Sequence, residues 1–259
     1  MLLTYPMPFK NTKLIPMKKQ MILSIFLVAS AMLVNGQTLT LDDVLANHYK
    51  AVGQDKLANV NTITMIGKQS MQGMELPFVL KEKRPGKILI MADIQGTKFM
   101  QGFDGVNGWM VAPWTGSTDP QDVDPETLKS LKEQADFDGV LVNWKEKGHQ
   151  VELVGMEPME GTDAYKLKVI TKEGDVEYFY LDADAFVIIK NTTNHKIQGA
   201  EVETESYMSN YKNVDGIMMP YTIESRMKGQ TISNIVVDSL LFDKEMSDSL
   251  FVKPAPASK

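Results

Sequence analysis

The chain of 259 residues contains no cysteine. Disulfides, thiol catalysis, cysteine-based metal sites and a lipid-modified lipoprotein N-terminus are therefore excluded, and stability must come from core packing. Histidine is almost as scarce, because His48, His149 and His195 stand alone and form no HxxH or HExxH zinc motif. The nucleophile-elbow, P-loop and dinucleotide-binding motifs are also missing. These absences predict a protein that is not an enzyme and needs no cofactor or metal, although 33 acidic residues leave a glycosidase-like carboxylate pair as an alternative.

The first 36 residues lack acidic side chains and carry only four lysines. An apolar run over residues 21–34 follows two of those lysines and is itself followed by small residues. This order is typical of a secretory signal peptide, and a run of 14 residues is shorter than the roughly 20 that cross a bilayer. We expect translation to start at Met17 and cleavage to follow Gly36, which predicts a periplasmic protein. A retained membrane anchor is the alternative.

Positive charge is in short supply after residue 36, where 23 basic residues face 33 acidic ones. Proteins that bind nucleic acids or anionic membranes usually present a basic patch, and no cluster of lysines and arginines suggests one here. The sequence therefore predicts no nucleic-acid partner.

Two segments have the signature of a helix. Thr40 and Asp43 form a capping-box-like start, apolar residues follow at helical spacing, and Gly53 is a natural stop, which predicts a helix over about 40–52. A short second turn is expected near 54–59. Pro125 after Asp124 predicts a second helix over about 125–136. The segment 140–144 favours neither helix nor strand.

The remaining sequence is dominated by short runs of β-branched and aromatic residues between glycine or Pro-Gly turns. Such runs predict about twelve strands joined as antiparallel hairpins. No change in composition separates the two strand series, so we expect a single mainly β domain of the α+β class over residues 37–259. The predicted strands are Val60–Gln72, Met74–Arg84, Lys87–Gln95, Thr97–Phe103, Val106–Pro113, Gln150–Glu157, Ala164–Lys172, Val176–Asp182, Phe186–His195, Ala200–Tyr211, Ile217–Lys228 and Thr231–Phe242.

Several predicted strands alternate between apolar and polar residues, so the sheet presents one apolar face. Two short helices cannot cover the apolar face of twelve strands. The sheet must therefore form a filled sandwich, close around its own side chains, or curl around a cavity. The 13 methionines after residue 36 suit either a filled core or an adaptable apolar binding surface. The residues alone leave plain core packing open beside the cavity.

Five blocks of sequence carry a resemblance to a known superfamily. They are His48–Gly53 with the strand Val60–Gln72, Lys83–Lys87, Phe103–Pro113, Gly161–Val169 with Glu177–Asp182, and Tyr211–Pro220. In this order they resemble the LolA-like superfamily of periplasmic carriers, which sort lipoproteins to the outer membrane. The resemblance implies an incomplete, strongly curved antiparallel β-barrel with helices packed as a lid on its concave face. It also implies a strand arginine that helps hold the lid, and only Arg84 and Arg226 follow residue 36.

We therefore expect a periplasmic carrier that holds a lipid or the acyl chains of a lipoprotein in a hydrophobic cavity, with membrane-bound donor and acceptor proteins as further partners. The alternative is a periplasmic sensor or protein-interaction domain of the same fold that detects lipoproteins or docks a partner. The cargo itself stays open. The residues predicted to line the cavity are Leu76, Phe78, Leu80, Ile90, Phe99, Phe103, Trp109, Tyr165, Leu167, Tyr178, Met219 and Ile223.

Overall fold

The computed structural model describes residues 39–94, 96–112, 114, 116, 118–159, 161–197 and 200–256. Residues 39–259 form one compact unit. The predicted signal peptide and its cleavage site lie outside the described residues. No helix of the described ranges is long and apolar enough to cross a membrane.

The described residues contain three α-helices, α1 at Leu41–Val52, α2 at Gln54–Leu57 and α3 at Pro125–Gln134. The start of α1 is the predicted capping box, in which the Asp43 amide donates to the Thr40 hydroxyl and the Thr40 amide donates to the Asp43 carboxylate at 3.0 Å. Gly53 ends α1 in the left-handed conformation, with a φ of 71°. A side chain there would also meet the Gly216 carbonyl oxygen, since a Cβ atom would lie 2.2 Å from it. Glycine therefore sets both the end of α1 and its close approach to the sheet.

In the part of the chain that the structure describes, thirteen strands form one sheet in which every neighbouring pair is antiparallel. The prediction missed only the two-residue strand β6, because two residues are too few to show a pattern. The strands are β1 Thr62–Met71, β2 Met74–Lys83, β3 Lys87–Ile94, β4 Thr97–Phe103, β5 Gly108–Val111, β6 Gln121–Asp122, β7 Gln150–Met159, β8 Thr162–Ile170, β9 Val176–Asp182, β10 Ile188–Ile197, β11 Ala200–Val214, β12 Ile217–Met227 and β13 Gln230–Phe242.

The strand order across the sheet is β6-β5-β4-β3-β2-β1-β13-β12-β11-β10-β9-β8-β7. Two hairpin series are therefore joined through the first and last strands, whose pairing runs from Ile63 opposite Phe242 to Ser70 opposite Asn234. The edge strands β6 and β7 lie at opposite ends and do not pair with each other in the described residues. The sheet is thus an incomplete curved barrel, and the predicted fold class is confirmed.

One face of the sheet, called here the inner face, carries all three helices. Three apolar clusters hold them there. Val44 and Leu45 of α1 pack against β7–β9, Leu57 of α2 packs against β1, β12 and β13, and Leu131 and Ala135 of α3 pack against β3 and β4. Each helix thus buries its apolar stripe against a different part of the same face.

The opposite, outer face of β3–β5 is covered by the segment that follows β13. Met246 and Phe251 pack there against Leu89 and Trp109, and the Trp109 indole N–H donates to the Phe251 carbonyl oxygen at 2.7 Å. The indole lies over Gly102, where a Cβ atom would stand 2.5 Å from the ring. Trp109 therefore faces away from the helices, although its sequence position had suggested a cavity-lining role.

Phe251 is fully buried, so its removal should loosen the terminal segment. We expect Phe251→Ala to lower the free energy of unfolding by roughly 3–5 kcal/mol, since the lost side chain leaves a cavity around Trp109. Urea denaturation followed by tryptophan fluorescence measures the change. Val252→Ala is the matched control, because Val252 is 49% exposed. A loss below about 1 kcal/mol in the Phe251 variant would contradict this packing.

Candidate functional site

The chain between β6 and β7, residues 123–149, crosses the inner face and is called here the lid. It begins with α3 over β3 and β4, where Leu128 and Leu131 pack on Ile88 and Phe103. Its later part continues as turns, in which Phe137 contacts the cluster below α2 and Leu141 joins the cluster below α1. The lid therefore touches all three apolar clusters of the inner face.

An arginine fastens the middle of the lid to the sheet. The Arg84 guanidinium, just after β2, donates to both carboxylate oxygens of Asp138 in the lid, at 2.7 Å for one of them. Its Nε atom donates to the Val60 carbonyl at 2.8 Å, and its carbon lies 4.2 Å from the centre of the Phe137 ring. The hydrogen bonds from Arg84 lower the pKa of Asp138 and keep it ionised. Arg84 thus lies where the resemblance placed a lid-holding arginine.

A cavity of about 210 Å³, called here the inner cavity, lies between α1, α2, the lid and strands β9–β12. Its walls are mainly apolar and include Val52, Leu57, Phe179, Ile217 and Met219. A dry apolar cavity of about 150 Å³ is known to hold benzene, so this space suits a small apolar group. The inner cavity is the first candidate for a ligand site.

Two of the polar side chains that line the inner cavity, His48 and Tyr211, are hydrogen-bonded to backbone carbonyl groups. His48 is only 6% exposed, and its Nδ1 atom lies 2.8 Å from the Phe186 carbonyl oxygen. Burial lowers the pKa of His48 and raises that of Tyr211, whose hydroxyl donates to the Ile188 carbonyl at 2.5 Å. His48 does not lie on the exposed surface of α1. Its spacing of four and three residues from Val44 and Leu45 places it on the buried stripe of α1.

A polar cleft of about 580 Å³ lies beside the inner cavity, and both are bounded by Gly139, Val140 and Phe179. Three lysines of the lid and the β8–β9 turn contribute to its walls. Glu177 of β9 also lines it, and burial, with a smaller contribution from the charge of Glu133, raises the pKa of Glu177 to about 7. The space below the lid therefore has a polar, hydrated side next to the apolar inner cavity.

A second buried carboxyl group lies below the lid. Glu82 is 8% exposed and stands in register between Ile63 and Ile88 on the inner face. Burial, and then the nearby charge of Asp136, raise the pKa of Glu82 to about 8. The interior is therefore not purely apolar. Because the pKa of Glu82 lies above 7, this carboxyl group is mostly protonated at neutral pH.

Five of the predicted cavity residues on the inner face are covered by helices. Leu80, Ile90 and Phe103 pack around α3, whereas Tyr165 and Leu167 pack in the cluster below α1. They face the side expected from the alternation of the strands, but helix side chains occupy the space above them. Whether ligand reaches them depends on movement of the lid.

Five further predicted residues also lie on the inner face. Met219 lines the inner cavity, and Ile223 is half-buried opposite Ile235, which packs near α2. Leu76 is buried, and Phe99 stacks on Trp114 with ring centres 5.4 Å apart. Phe78 lies against Gly67, whose missing side chain makes room for the ring.

Tyr178 lies on the outer face, because its neighbour Phe179 points into the cluster below α1. The Lys166 ammonium stands 4.9 Å from the Tyr178 ring centre and 2.7 Å from the Glu157 carboxylate. Similar cation–π contacts continue across β9–β12 through Tyr180, Lys190, Tyr207 and Arg226. Tyr178 therefore belongs to a polar ladder that stiffens the outer face, and not to the covered side.

An outer groove of about 490 Å³ crosses β1–β4 on the same outer face. One wall is the cross-strand row of Ile66, Val79, Met91 and Met100. The floor is the backbone of the neighbouring row, which includes Gly67 and Ala92. Ile66 is 38% exposed, so this apolar row is open to solvent.

Comparison with known proteins finds similarity only among solved structures. No protein-family model and no curated protein matches the chain. A DUF1329 family protein from Desulfovibrio piger superimposes with a TM-score of 0.55 at 17% identity, over 81% of this chain and 97% of that one. A LolA superfamily protein from Nitrosomonas europaea gives 0.56 at 14% identity over 83% and 98%, and an outer membrane lipoprotein-sorting domain from Vibrio parahaemolyticus gives 0.54 at 13% over 78% and 95%.

The chain has the LolA-like fold. The match extends over nearly the whole length of each of these three neighbours, so the complete half-barrel is shared. At such low identity the likeness speaks for the fold alone, and the role of the lid and cavities has to be argued from this chain's own residues. Within the described residues, no group of three or more histidine, aspartate or glutamate side chains is arranged to hold a metal ion.

The buried carboxyl group of Glu82 should make the stability of this LolA-like domain fall with pH. Its folded pKa of about 8 lies above the ordinary value of 4.5, so the folded state keeps a proton that the unfolded chain loses. The stabilisation is complete below pH 4.5 and is lost as the pH rises towards 8, with a slope on the order of 1 kcal/mol per pH unit.

Glu82→Gln should therefore flatten this dependence, leaving the variant more stable than the wild type at pH 8 and similar at pH 5. Urea denaturation across this range measures the effect, and Glu152→Gln on the exposed side of β7 is the control. An unchanged slope in the Glu82 variant would show that other groups cause the pH dependence.

Removal of the arginine that fastens the lid should mobilise the lid selectively. Charge-assisted hydrogen bonds contribute roughly 1.5–3 kcal/mol, so Arg84→Ala should speed amide hydrogen exchange over residues 136–142 about tenfold or more. Arg226→Ala is the matched control, because Arg226 pairs with Glu224 on the outer face. Equal exchange in the two variants would contradict a fastening role for Arg84.

Proposed function

We propose that the protein is a periplasmic carrier, secreted with a signal peptide that is removed after Gly36, whose single domain over residues 37–259 binds lipid or lipoprotein acyl chains. The observation that carries this proposal is the apolar inner cavity below a lid that apolar contacts and the ion pairs of Arg84 with Asp138 and of Lys129 with Asp175 hold in place. Side-chain contacts of this kind can break without unfolding the sheet. The sorting role of the Vibrio parahaemolyticus neighbour supports lipoprotein cargo, with membrane proteins as donor and acceptor.

The lid and the cargo would compete for the same apolar face. In this structure the apolar stripe of α3, with Leu128 and Leu131, covers Ile88 and Phe103. Uncovering the two leucines costs about 1.5–3 kcal/mol each, while each buried acyl methylene contributes about 0.8 kcal/mol. Roughly six methylenes offset the displaced helix, so a longer chain binds and the returning lid assists its release.

A binding role fits the polar interior better than catalysis does. Glu82 is sealed below the lid, so it cannot reach a substrate without lid opening. Glu177 does reach the polar cleft, but its nearest charged neighbours, Glu133, Asp175 and Lys129, form no nucleophile or base pair with a histidine. Hydrated lysines and carboxylates instead suit the polar part of an amphiphile whose chain lies in the inner cavity.

The outer groove favours a second candidate function, that of a sensor or docking domain. The apolar wall of the groove includes Ile66, which is 38% exposed, and the half-buried Met91 and Met100, and methionine suits adaptable contacts with protein partners. The edge strand β7, which pairs only with β8 in the described residues, adds exposed Val154 and Met156. A partner that adds a strand to β7 or inserts into the groove would use surfaces that a carrier does not need.

The carrier proposal is tested by native mass spectrometry of the mature protein purified from the periplasm of its own host, followed by organic extraction. A near-stoichiometric lipid or acylated peptide is expected, and a chain that begins at Gln37 would also report the cleavage site. Uptake of a fluorescent fatty acid by the stripped protein gives the affinity. Met219→Trp should reduce that affinity at least tenfold, since the indole fills part of the inner cavity.

Met156→Trp is the matched control, because Met156 is 53% exposed on the edge strand β7. The control should bind the fatty acid as the wild type does. A protein that arrives without lipid and takes up no fatty acid would contradict the carrier proposal and favour the docking function.

A further inference from the structure

The hydrogen bonding of His48 determines which of its ring nitrogens carries a proton. The Phe186 carbonyl oxygen, 2.8 Å from Nδ1, can only accept, so Nδ1 carries the hydrogen. Burial of the ring lowers its pKa, and the imidazole is therefore neutral at physiological pH. A neutral imidazole with hydrogen on Nδ1 has a lone pair on Nε2, so Nε2 is a hydrogen-bond acceptor.

Nε2 belongs to a buried residue that lines the inner cavity. Among the described residues no hydrogen-bond donor contacts Nε2. In the same residues, every side-chain nitrogen or oxygen that is fully enclosed in protein has a hydrogen-bond partner. Nε2 is therefore not sealed in protein, and the side chain that carries it lines the inner cavity. A buried acceptor without a partner is costly, which favours a ligand that donates to it.

The other polar groups of the inner cavity select against charged ligands. Asp138 lines the cavity and is ionised, but its oxygens already accept from Arg84 and from Gln54 at 3.1 Å. A ligand ammonium thus finds no free carboxylate, and no lysine or arginine lines the cavity to pair with a ligand carboxylate. The Tyr211 hydroxyl hydrogen is committed to Ile188, so Tyr211 also offers only a lone pair. A neutral hydrogen-bond donor fits this set.

We infer that the inner cavity binds the hydroxyl-bearing part of an apolar alcohol or hydroxylated acyl chain, with Nε2 of His48 accepting the hydroxyl hydrogen. This inference rests on the proposed carrier function and specifies the chemistry of its cargo. The cavity volume of about 210 Å³ holds roughly eight non-hydrogen atoms, by proportion to a 150 Å³ cavity that holds benzene. The hydrogen bond to the hydroxyl group gives the cavity selectivity among apolar ligands, because the apolar walls contact all such ligands alike.

Two isomers of equal size test whether a hydroxyl group on the ligand strengthens its binding. The alcohol 1-heptanol and the ether 1-methoxyhexane have the same eight non-hydrogen atoms, but only the alcohol can donate. Isothermal titration of the mature protein should show the alcohol binding roughly five- to tenfold more tightly, the ratio that one net hydrogen bond provides. In His48→Phe, which keeps an apolar ring of similar size, this ratio should fall to about one.

His149→Phe is the matched control, since His149 lies outside the inner cavity, and it should retain the preference. If His48→Phe fails to fold, nitrogen-15 NMR of the wild type replaces it, because the Nε2 resonance should shift with the alcohol and not with the ether. Equal affinities of the two isomers, an unshifted resonance, or a preference that persists in His48→Phe overturns the inference. A protein that binds the fluorescent fatty acid but shows no alcohol preference overturns this inference alone, whereas one that binds no fatty acid overturns the carrier function itself.

Discussion

The antiparallel pairing of β1 with β13 is the interaction on which the rest of the structure depends. It joins residues about 170 positions apart and turns two hairpin series into one sheet, with β6 and β7 at its opposite ends. The chain that connects those two edges must then travel across the whole sheet. Since the sheet is curved, the shorter way leads over the inner face, and the connection becomes the lid. The lid and the inner cavity below it therefore follow from the strand order.

The lid combines two kinds of contact with different reach. Apolar contacts of α3 spread over β3 and β4 and can be exchanged for a ligand of similar area, since burial is not directional. The ion pair of Arg84 with Asp138 is local and directional, so it fixes the closed position without adding apolar area. Buried Glu82 opposes closure once it ionises, because Asp136 of the lid lies near it. The balance of these contacts is what a cargo molecule has to shift.

The covered side of the sheet and its outer side are built for different tasks. The inner face is assembled from apolar clusters with a few polar groups such as His48, each placed where a hydrogen bond decides its state. The outer face of β8–β12 is a ladder of tyrosines with basic and acidic partners, which has little room to rearrange. Rigidity on one side lets the lid move on the other while the strands keep their register.

The sequence by itself determined the local features, because caps, turns and alternation act over a few residues. The capping box at Thr40, the helix start at Pro125 and the hairpins between glycines were all predictable for this reason. Only the tertiary structure decided that Trp109 and Tyr178 face outward. Strand alternation defines two sets of side chains, but the direction in which the sheet curves determines which set is covered. The contacts of Arg84 with Asp138 and of His48 with Phe186 span 54 and 138 residues. Such contacts leave no periodic trace in the sequence, since they arise only when the lid and α1 pack on the sheet.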